Sequence, residues 1–585
     1  MDNVLEGYAS VASAAPGDTI EFRIRADAAH RAFKLDIYRR GVTDMPLHTA
    51  AGEAFVPGTQ DDAQLAVVGC DWPSDPNCRI VVPSDWKSGY YVGIATSGDV
   101  ACTMPFVVRA GTPNSSGILV KLGDTTAQAY NAWGGRSLYS TPFAPVVTFD
   151  RPADVGLYEK YQLPFLQWAQ TSNVSFDLCS SLDLHRDPML LGPYRLFISL
   201  GHDEYWSLEM RDAVEAFVAA GGNAAFFSAN TCFWQIRLDL ASGSRSMTCY
   251  KEGEAGHVPD PERGDPSRIT CRWFDSPVLR PENVITGVSY RNGAGWWINP
   301  VVPARRFRGY TVLSPQHPLL RGTALALGDV FGAGTTVDDA ILGYETDAAL
   351  LDGVRPIGTD GTPATFVPLA TADLRDWAPN GQGGFATMGT YRRFGTALTV
   401  GTVNWAGGLV QGSVVERITQ NVLADLVVAP RTIPVANADF EEWVNGSPAN
   451  WIRDGAGFVA ARDLAADVLV NQCRFTQGGS HALEIDASDG DTWLGQPNFS
   501  LELGATYGIG CWAQTSAPGA TIRLQTTDSW TDFASATHSG NGRWEYLFAV
   551  GSIAENRATP FRVKLQVAQG GIALFARISL VRGAD

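Results

Sequence analysis

The spacing of apolar and polar positions changes twice along the chain and divides it into three parts. Up to about residue 112, runs such as 19–24 (TIEFRI) and 33–38 (FKLDIY) are rich in β-branched and aromatic side chains, with Pro and Gly between them. Such runs are typical of short strands. From about residue 117, apolar runs alternate with helix-like segments, and beyond residue 433 strand-like runs return. The pattern predicts a multidomain protein with an α/β part between two all-β parts.

We accordingly predict three domains. Residues 1–112 are expected to form an immunoglobulin-like β-sandwich, residues 113–432 a doubly wound parallel sheet, and residues 433–585 a β jelly roll. Strands that alternate with helices are expected to pair in parallel through right-handed crossovers. The middle domain is predicted to have strands at 118–122, 174–179, 195–200, 223–227 and 396–403, and helices at 158–170, 208–220 and 413–427.

Polar or aromatic segments follow four of the apolar strands of the middle domain. They span residues 124–130, 180–185, 202–205 and 228–234. Because the carboxyl ends of parallel strands share one edge of a sheet, these segments should line a single crevice. The sequence therefore directs attention to this edge for function.

The segment 201–207 (GHDEYWS) carries the most chemistry, since four of its side chains can bind a proton or a metal. The imidazole and the carboxylate can act as bases or metal ligands, and the phenol can donate a proton or bind a hard metal as phenolate. The alternative is that His202 and Asp203 cap the next helix while Tyr205 and Trp206 pack beneath it. With the segment after the following strand included, the predicted catalytic residues are His202, Glu204, Tyr205 and Asn230.

Other features of the sequence limit the chemistry. No Gly-x-Ser-x-Gly motif is present and no cysteine follows the strand at 195–200, which disfavours a covalent acyl-enzyme there. Glu345 lies far along the chain, where it either reaches the same crevice or is a surface turn residue. The nine cysteines show no zinc spacing. A disulfide between Cys70 and Cys78, or two half-buried thiols, stays open, as does pairing of Cys249 with Cys271.

Charge and hydropathy narrow the range of partners. The 44 basic and 61 acidic residues give a net charge of −17, which repels phosphate backbones, and no basic run offsets it, so nucleic acid is not an expected partner. No apolar run approaches the roughly 18 residues that a membrane span needs. The first residues lack the features of a signal peptide. We therefore expect a soluble protein, either cytoplasmic or secreted with its signal removed.

Several motifs occur in a specific order over residues 5–430. They are 6–10 (EGYAS), 16–18 (PGD), 37–39 (IYR), 128–131 (QAYN), 134–135 (GG), 183–185 (DLH), 201–207 (GHDEYWS), 401–402 (GT) and 404–405 (NW). In these motifs the sequence resembles the large (β) subunit family of N,N-dimethylformamidase. The middle domain also resembles a class I glutamine-amidotransferase-like sheet whose usual cysteine is missing.

The resemblance implies hydrolysis of an amide-type C–N bond. In the amidase, a mononuclear iron held by two tyrosines and a glutamate binds the water that attacks the formamide carbonyl. By resemblance, Tyr205 matches one tyrosine ligand and Glu345 is one option for the glutamate, while the second tyrosine is open among Tyr130, Tyr158 and Tyr161. A small-molecule amide substrate is implied, and an oligomer or small-subunit partner stays open. The predicted substrate-binding residues are Tyr130, Asn131, His185, Asn404 and Trp405.

The last domain resembles carbohydrate-binding jelly rolls through residues 437–441 and 446–451. The resemblance implies either that Trp493, Trp530 and Trp544 stack on sugars or that they pack in the core. It also implies a structural Ca²⁺ at Asp439 or Glu441. Two further functions therefore stay open beside the hydrolase. One is a protein that binds or cleaves a saccharide with His202, Glu204 and the C-terminal module, and the other is a catalytically silent scaffold.

Overall fold

The computed structural model describes most of the chain, and strands outnumber helices throughout it. The described residues are 4–42, 45–240, 245–295, 308–334, 340–377, 383–427, 433, 435–463, 481–502, 504–527, 530–553 and 560–582. Within them, no helix is both long and apolar enough to cross a membrane. The predicted boundary at residue 432 lies outside the described residues.

The N-terminal region consists of two sheets that pack around one apolar core. One sheet has the order β1-β3-β6 and the other β2-β8-β7-β4-β5. Alternate residues of both sheets, among them Phe22, Leu35 and Phe106, meet in the core between them. The elements are β1 Leu5–Ala9, β2 Ser13–Ala14, β3 Thr19–Ala26, β4 Ala32–Arg39, β5 His48–Glu53, α1 Asp62–Val68, β6 Ser74–Val81, β7 Gly89–Ser97 and β8 Val100–Val108.

The central region is built on a nine-stranded sheet. Its elements are β9 Ile118–Lys121, α2 Asp124–Tyr130, β10 Val146–Thr148, α3 Gly156–Tyr161, α4 Leu163–Thr171, β11 Asp177–Cys179, α5 Ser181–Arg186, β12 Leu196–His202, β13 Tyr205–Ser207, α6 Leu208–Ala219, β14 Asn223–Ala229, β15 Trp234–Asp239, β16 Ser246–Thr248, α7 Asn283–Thr286, β17 Ser289–Gly295, β18 Tyr310–Val312, β19 Val330–Phe331, β20 Glu345–Ala348, β21 Leu351–Asp352, β22 Arg355–Pro356, β23 Val367–Asp373, β24 Phe385–Arg392, β25 Thr396–Thr399 and α8 Val414–Leu426. The strand order is β11-β9-β12-β14-β25-β24-β23-β18-β19.

Five strands of this sheet, from β11 to β25, pair in parallel, which confirms the predicted pairing. The remaining strands, β24, β23, β18 and β19, are antiparallel. Alternate residues of the parallel strands face opposite sides, so that Val120 and Ile198 contact the core with α4 and α8, while Phe197 packs in the core with α6. Helices therefore cover both faces of the parallel half.

Helix boundaries follow local sequence signals. The helix predicted at 158–170 is two helices. Pro164 lies in the first turn of α4, where its missing N–H is tolerated, whereas in the interior of one continuous helix it would remove a hydrogen bond and clash with the preceding turn. Ser207 caps α6 by accepting from the Met210 N–H at 3.2 Å. Ser413 caps α8 in the same way, through the Glu416 N–H at 3.0 Å.

A smaller sheet of order β10-β16-β15-β13 lies beside the main one. In it β13 pairs in parallel with β15, with Tyr205 opposite Trp234. This sheet therefore fixes the chain immediately after β12, where the candidate site lies.

The C-terminal region has two five-stranded antiparallel sheets around a second core, which contains Leu494, Ile509 and Leu565. Met189 and Ala216 of the central region pack against Trp512 and Ala576 of this one. Its strands are β26 Trp443–Val444, β27 Ser447–Pro448, β28 Ile452–Gly455, β29 Phe458–Asp463, β30 His481–Asp486, β31 Thr492–Phe499, β32 Thr506–Gln514, β33 Thr521–Thr526, β34 Asp532–Thr537, β35 Trp544–Ser552, β36 Phe561–Val567 and β37 Ile572–Arg582. The sheet orders are β28-β31-β36-β33-β34 and β29-β30-β37-β32-β35.

The cysteine pairings left open by the sequence are not formed. Cys70, Cys78, Cys249 and Cys271 are all free thiols. Cys70 packs with Tyr8 and Trp72, whereas Cys78 lies in the core between the N-terminal sheets. The two thiols therefore belong to separate apolar clusters.

Candidate active site

The four segments predicted to line one crevice all leave the same edge of the sheet. They follow β9, β11, β12 and β14, which run side by side in parallel, so their carboxyl ends point the same way. The edge therefore gathers residues 124–130, 180–185, 202–205 and 228–234.

A glycine and two threonines shape the turn after β12. Gly201 has a φ of +65°, and a Cβ there would lie 2.6 Å from the Tyr161 Cβ. Only glycine fits both constraints. The Thr126 hydroxyl accepts from the Glu204 N–H at 2.8 Å, and the Thr125 hydroxyl donates to the Tyr205 carbonyl at 2.7 Å. The first turn of α2 thus holds the backbone of residues 204 and 205 in place.

Glu204 lies at the centre of a group of phenols, of which Tyr205 is fully buried. The Tyr130 hydroxyl donates to its Oε2 and the Tyr139 hydroxyl to its Oε1, both at 3.0 Å. The Tyr205 hydroxyl donates to the Tyr139 hydroxyl at 2.7 Å. The rings of Tyr130 and Tyr139 stack with centroids 4.3 Å apart. We call Tyr130, Tyr139, Glu204 and Tyr205 the phenol–carboxylate cluster.

His202 lies between two carboxylates. Its Nε2 is 2.8 Å from Glu345 Oε2 and 3.3 Å from Glu204 Oε2. Burial lowers the pKa of His202, but the two carboxylates outweigh it and raise the pKa to about 10. The ring is therefore a cation at neutral pH, in which state it donates protons rather than accepting them.

The pKa values of the cluster follow from the same charges. Burial raises the pKa of Glu204, but His202 and Lys251 outweigh it and the net shift is downward, so the carboxylate stays ionised. Burial, and then the Glu204 charge, raise the pKa of Tyr130, Tyr139 and Tyr205 well above the ordinary value. Without another positive charge these phenols are neutral.

A lysine supplies positive charge on one side of the cluster. The Lys251 Nζ lies 3.5 Å from the centroid of the Tyr139 ring and 5.7 Å from that of Tyr205. Burial lowers the pKa of this lysine, opposed by the Glu204 charge. The Tyr139 ring is 47% exposed, and it connects the cluster with solvent.

Asn230 and Glu345 meet on the other side. Asn230 has a φ of +48°, and its Nδ2 donates to Glu345 Oε2 at 3.1 Å. The Asp347 carboxylate holds this strained turn by accepting from the N–H groups of Asn230 at 2.7 Å and Thr231 at 3.2 Å. Among the described residues, Asn230 Oδ1 is buried without a hydrogen-bond donor. It can accept from a bound molecule.

Four other predicted site residues form contacts elsewhere. Asn131 donates to the Pro152 carbonyl at 2.8 Å and ends α2. His185 bonds the Ser207 hydroxyl at 2.8 Å, at the start of α6. Asn404 donates to the Ala340 carbonyl at 3.3 Å, and Trp405 is buried, with its indole N–H on Thr419 at 3.0 Å. The structure thus brings together His202, Glu204, Tyr205, Asn230, Tyr130 and Glu345.

Sequence reasoning missed Tyr139, Thr126 and Asp347. Tyr139 lies in an irregular loop, so no strand or helix pattern marks it. Of the other candidate tyrosines, Tyr158 stacks on Tyr90 with centroids 5.4 Å apart, and Tyr161 packs against Gly201. The one available signal was that Tyr139 follows Tyr130 by nine residues in the same segment.

Within the ranges that the structure describes, no group of three or more His, Cys, Asp or Glu residues is arranged to hold an ion. In the C-terminal region, the Glu441 carboxylate pairs with His481 Nδ1 at 2.9 Å. The calcium expected at Asp439 or Glu441 stays a prediction.

The family described as N,N-dimethylformamidase beta subunit-like, C-terminal, matches residues 31–419. The chain belongs to this family. The match covers the central sheet, the phenol–carboxylate cluster and most of the N-terminal sheets, and it points to a hydrolase-type role. No curated protein matches this chain.

Solved structures resemble about a quarter of the chain. A CBM4 structure has 16% identity and a TM-score of 0.19, and covers 26% of this chain and 99% of its own. TmCBM61 in complex with β-1,4-galactotriose has 20% identity and a TM-score of 0.19, over 25% of this chain and 97% of its own. A family 16 carbohydrate-binding module has 20% identity and a TM-score of 0.18, over 24% and 97%.

Proposed function

We propose that the phenol–carboxylate cluster is the active centre of a hydrolase that cleaves an amide-type C–N bond with an activated water. The observation that supports it is the buried, ionised Glu204, which accepts hydrogen bonds from two tyrosines at the carboxyl edge of the sheet. Family membership favours the same reaction class.

In this proposal the residues around the cluster bind and polarise the amide. The protonated His202 has no acceptor at Nδ1 among the described residues, so this N–H can donate to a developing oxyanion or to the leaving amine. Asn230 Oδ1 accepts an N–H of the substrate. Glu345 keeps His202 charged and fixes the Asn230 side chain at the same time.

The donor set fits the iron that family resemblance implies. Phenols and a carboxylate in mutual contact are hard oxygen donors, which suit oxidised iron. Glu204 would hold the ion with two of the three tyrosines, and Lys251 over the Tyr139 ring would stabilise a phenolate. A bound ferric ion supplies Lewis acidity, which lowers the pKa of water toward neutrality. The earlier option of Glu345 as a ligand is replaced in this proposal by Glu204.

Iron content and the visible spectrum test this proposal. We expect purified protein to contain iron and to show a phenolate-to-iron band, and Tyr205→Phe and Tyr139→Phe to alter or remove the band. Tyr194→Phe is the matched control, because Tyr194 is a buried tyrosine that donates to a different carboxylate, Asp177, at 2.9 Å. A colourless, iron-free protein that hydrolyses amides at full rate contradicts the iron part of the proposal.

A glycan-cleaving centre is the second candidate. Glu204 and Glu345 approach the same His202 nitrogen, and glycoside hydrolysis uses two neighbouring carboxylates. Turnover of a saccharide that is abolished by Glu204→Gln but insensitive to chelators would favour this candidate. Amide turnover that chelators abolish would favour the first.

A further inference from the structure

Two tryptophans and two cations share the outer face of the sheet β28-β31-β36-β33-β34. Leu494, Val563 and Leu565 point into the core, so their neighbours along the strands face outward. The Arg562 Cζ lies 3.7 Å from the centroid of the Trp530 ring, and the Lys564 Nζ lies 5.1 Å from that of Trp493. The two indole rings are 5.8 Å apart. This group of Trp493, Trp530, Arg562 and Lys564 forms the cationic aromatic face.

The two cations lack anionic partners. Arg562 and Lys564 are each only 8% exposed, and no carboxylate in the described part of the chain forms an ion pair with either. Arg562 Nε has no hydrogen-bond acceptor there, and Nη2 reaches only the Thr527 carbonyl at 3.3 Å. The indole faces stabilise the two positive charges, but they do not supply the oxygen acceptors that the N–H groups need. Buried cations without an anionic partner are costly.

The two nearest described carboxylates, Asp532 and Asp454, do not form ion pairs with Arg562 or Lys564. Arg523 on β33 pairs with Asp532, which leaves that carboxylate neutralised. Asp454, on the edge strand β28 opposite Trp493, is exposed, and its charge acts on Lys564 without an ion pair. Among the described residues, the net charge that remains on the face near Arg562 and Lys564 is positive.

An acceptor without a donor lies beside the cations. Gln525 is opposite Arg562 in the strand register, and its Oε1 is buried without a donor in the described residues. Its Nε2 is already used by Asp532 Oδ1 at 2.5 Å. Trp530 is 51% exposed, so its ring offers an open apolar surface.

We propose that the cationic aromatic face binds an anionic saccharide. Its sugar ring would lie against Trp530, its carboxylate or sulfate group would accept from Arg562 and Lys564, and a hydroxyl would donate to Gln525 Oε1. One acidic sugar ring offers a C–H-rich face to Trp530, an anion to the two cations and a hydroxyl to Gln525 Oε1. This site is separate from the phenol–carboxylate cluster and does not depend on the hydrolase proposal.

Titration calorimetry of the full-length protein tests the assignment with three probes of equal length: an oligogalacturonate, a sulfated galactose oligomer and a neutral β-1,4-galactose oligomer. We expect at least one acidic probe to bind at least about tenfold more tightly than the neutral one, with affinity that falls as salt rises. Preference between the two acidic probes identifies the anion. Equal affinity for the neutral probe, or no binding of either acidic probe, overturns the proposal.

Variants locate the binding. Arg562→Gln and Trp530→Ala should each weaken acidic-probe binding about tenfold or more, and Trp530→Phe should retain most of it because the aromatic face remains. Arg582→Gln is the control, since Arg582 lies on β37 of the other sheet and pairs with Glu502 at 2.8 Å. Undiminished binding by both Arg562→Gln and Trp530→Ala, each shown to be folded by its thermal transition, overturns the assignment. Amide hydrolysis should be unchanged in all four.

Discussion

The Nε2 atom of His202 lies 2.8 Å from the Oε2 atom of Glu345, although one residue ends β12 and the other begins β20. The contact joins the parallel half of the sheet to a segment that arrives much later in the chain. The buried imidazolium also lies beside Glu204, and its charge helps to lower the pKa of that carboxyl against the effect of burial.

Replacing Glu345 by Gln should lower the pKa of His202 from about 10, because this carboxylate is the largest of the influences that raise it and burial then acts with less opposition. The titration of His202 is measurable by NMR with isotopically labelled histidine. Glu254→Gln, at a partly exposed carboxylate outside the cluster, is the control and should leave the titration unchanged. An unaltered His202 titration in Glu345→Gln would contradict the ion pair.

Asp124→Asn should stabilise the protein at neutral pH but not in acid. Burial raises the pKa of Asp124 from 3.8 to about 6, against hydrogen bonds from Ser181 that lower it. The stability that the protonated carboxyl contributes is full below pH 3.8 and is lost as pH rises through 6. The advantage of the variant should therefore grow over this range to about 3 kcal/mol.

Urea unfolding of both proteins at pH 4, 5, 6 and 7 measures this difference. Asn retains an oxygen that can accept from the Ser181 N–H, as Asp124 does at 2.5 Å, so the comparison isolates the charge. A difference in unfolding free energy that does not vary with pH would refute the assignment.

Gly201→Ala should displace the turn that carries Glu204 and abolish activity. The added Cβ would meet Tyr161, and the positive φ adds strain. Gly135→Ala is the matched control, since Gly135 also has a positive φ of 70° but no atom within 4 Å of the added Cβ. Activity and thermal stability of the two variants separate the steric effect from the backbone strain. Equal losses in both would show that the contact with Tyr161 is unimportant.

Ser207→Ala should lower stability and leave the active centre largely intact. The hydroxyl caps α6 and bonds His185, and loss of such a cap costs about 1 kcal/mol. A reduced melting temperature with unchanged KM for the amide is expected. A large rise in KM would instead support His185 as a substrate-binding residue.

The parallel half of the central sheet was predictable because its signals are local. Short apolar runs, such as that at 118–121, alternate with helical periodicity, and each is followed by polar residues. Chain direction then requires their loops to share an edge. Glu204 and Tyr130 could thus be brought together from sequence alone.

The rest of the site depends on contacts that no local pattern records. Glu345 reaches His202 only because β20 pairs with β17 and bridges to Thr402 next to β25. Tyr139 comes from a loop without periodicity, and Lys251 from a turn residue with a φ of +50°. The antiparallel half of the sheet was missed for the same reason, since its strands follow irregular, turn-rich sequence.

The most direct test of the central claim compares hydrolysis of an N-alkylformamide by the wild-type protein, Glu204→Gln and Glu282→Gln. Glu282 is a buried glutamate outside the cluster that accepts from Ser289, and it controls for loss of a buried carboxylate. The three proteins are expressed and supplied with iron in the same way. We predict that Glu204→Gln lowers kcat/KM at least about 100-fold, while Glu282→Gln keeps the wild-type kcat/KM. A folded Glu204→Gln variant that hydrolyses the amide at the wild-type rate would contradict the account.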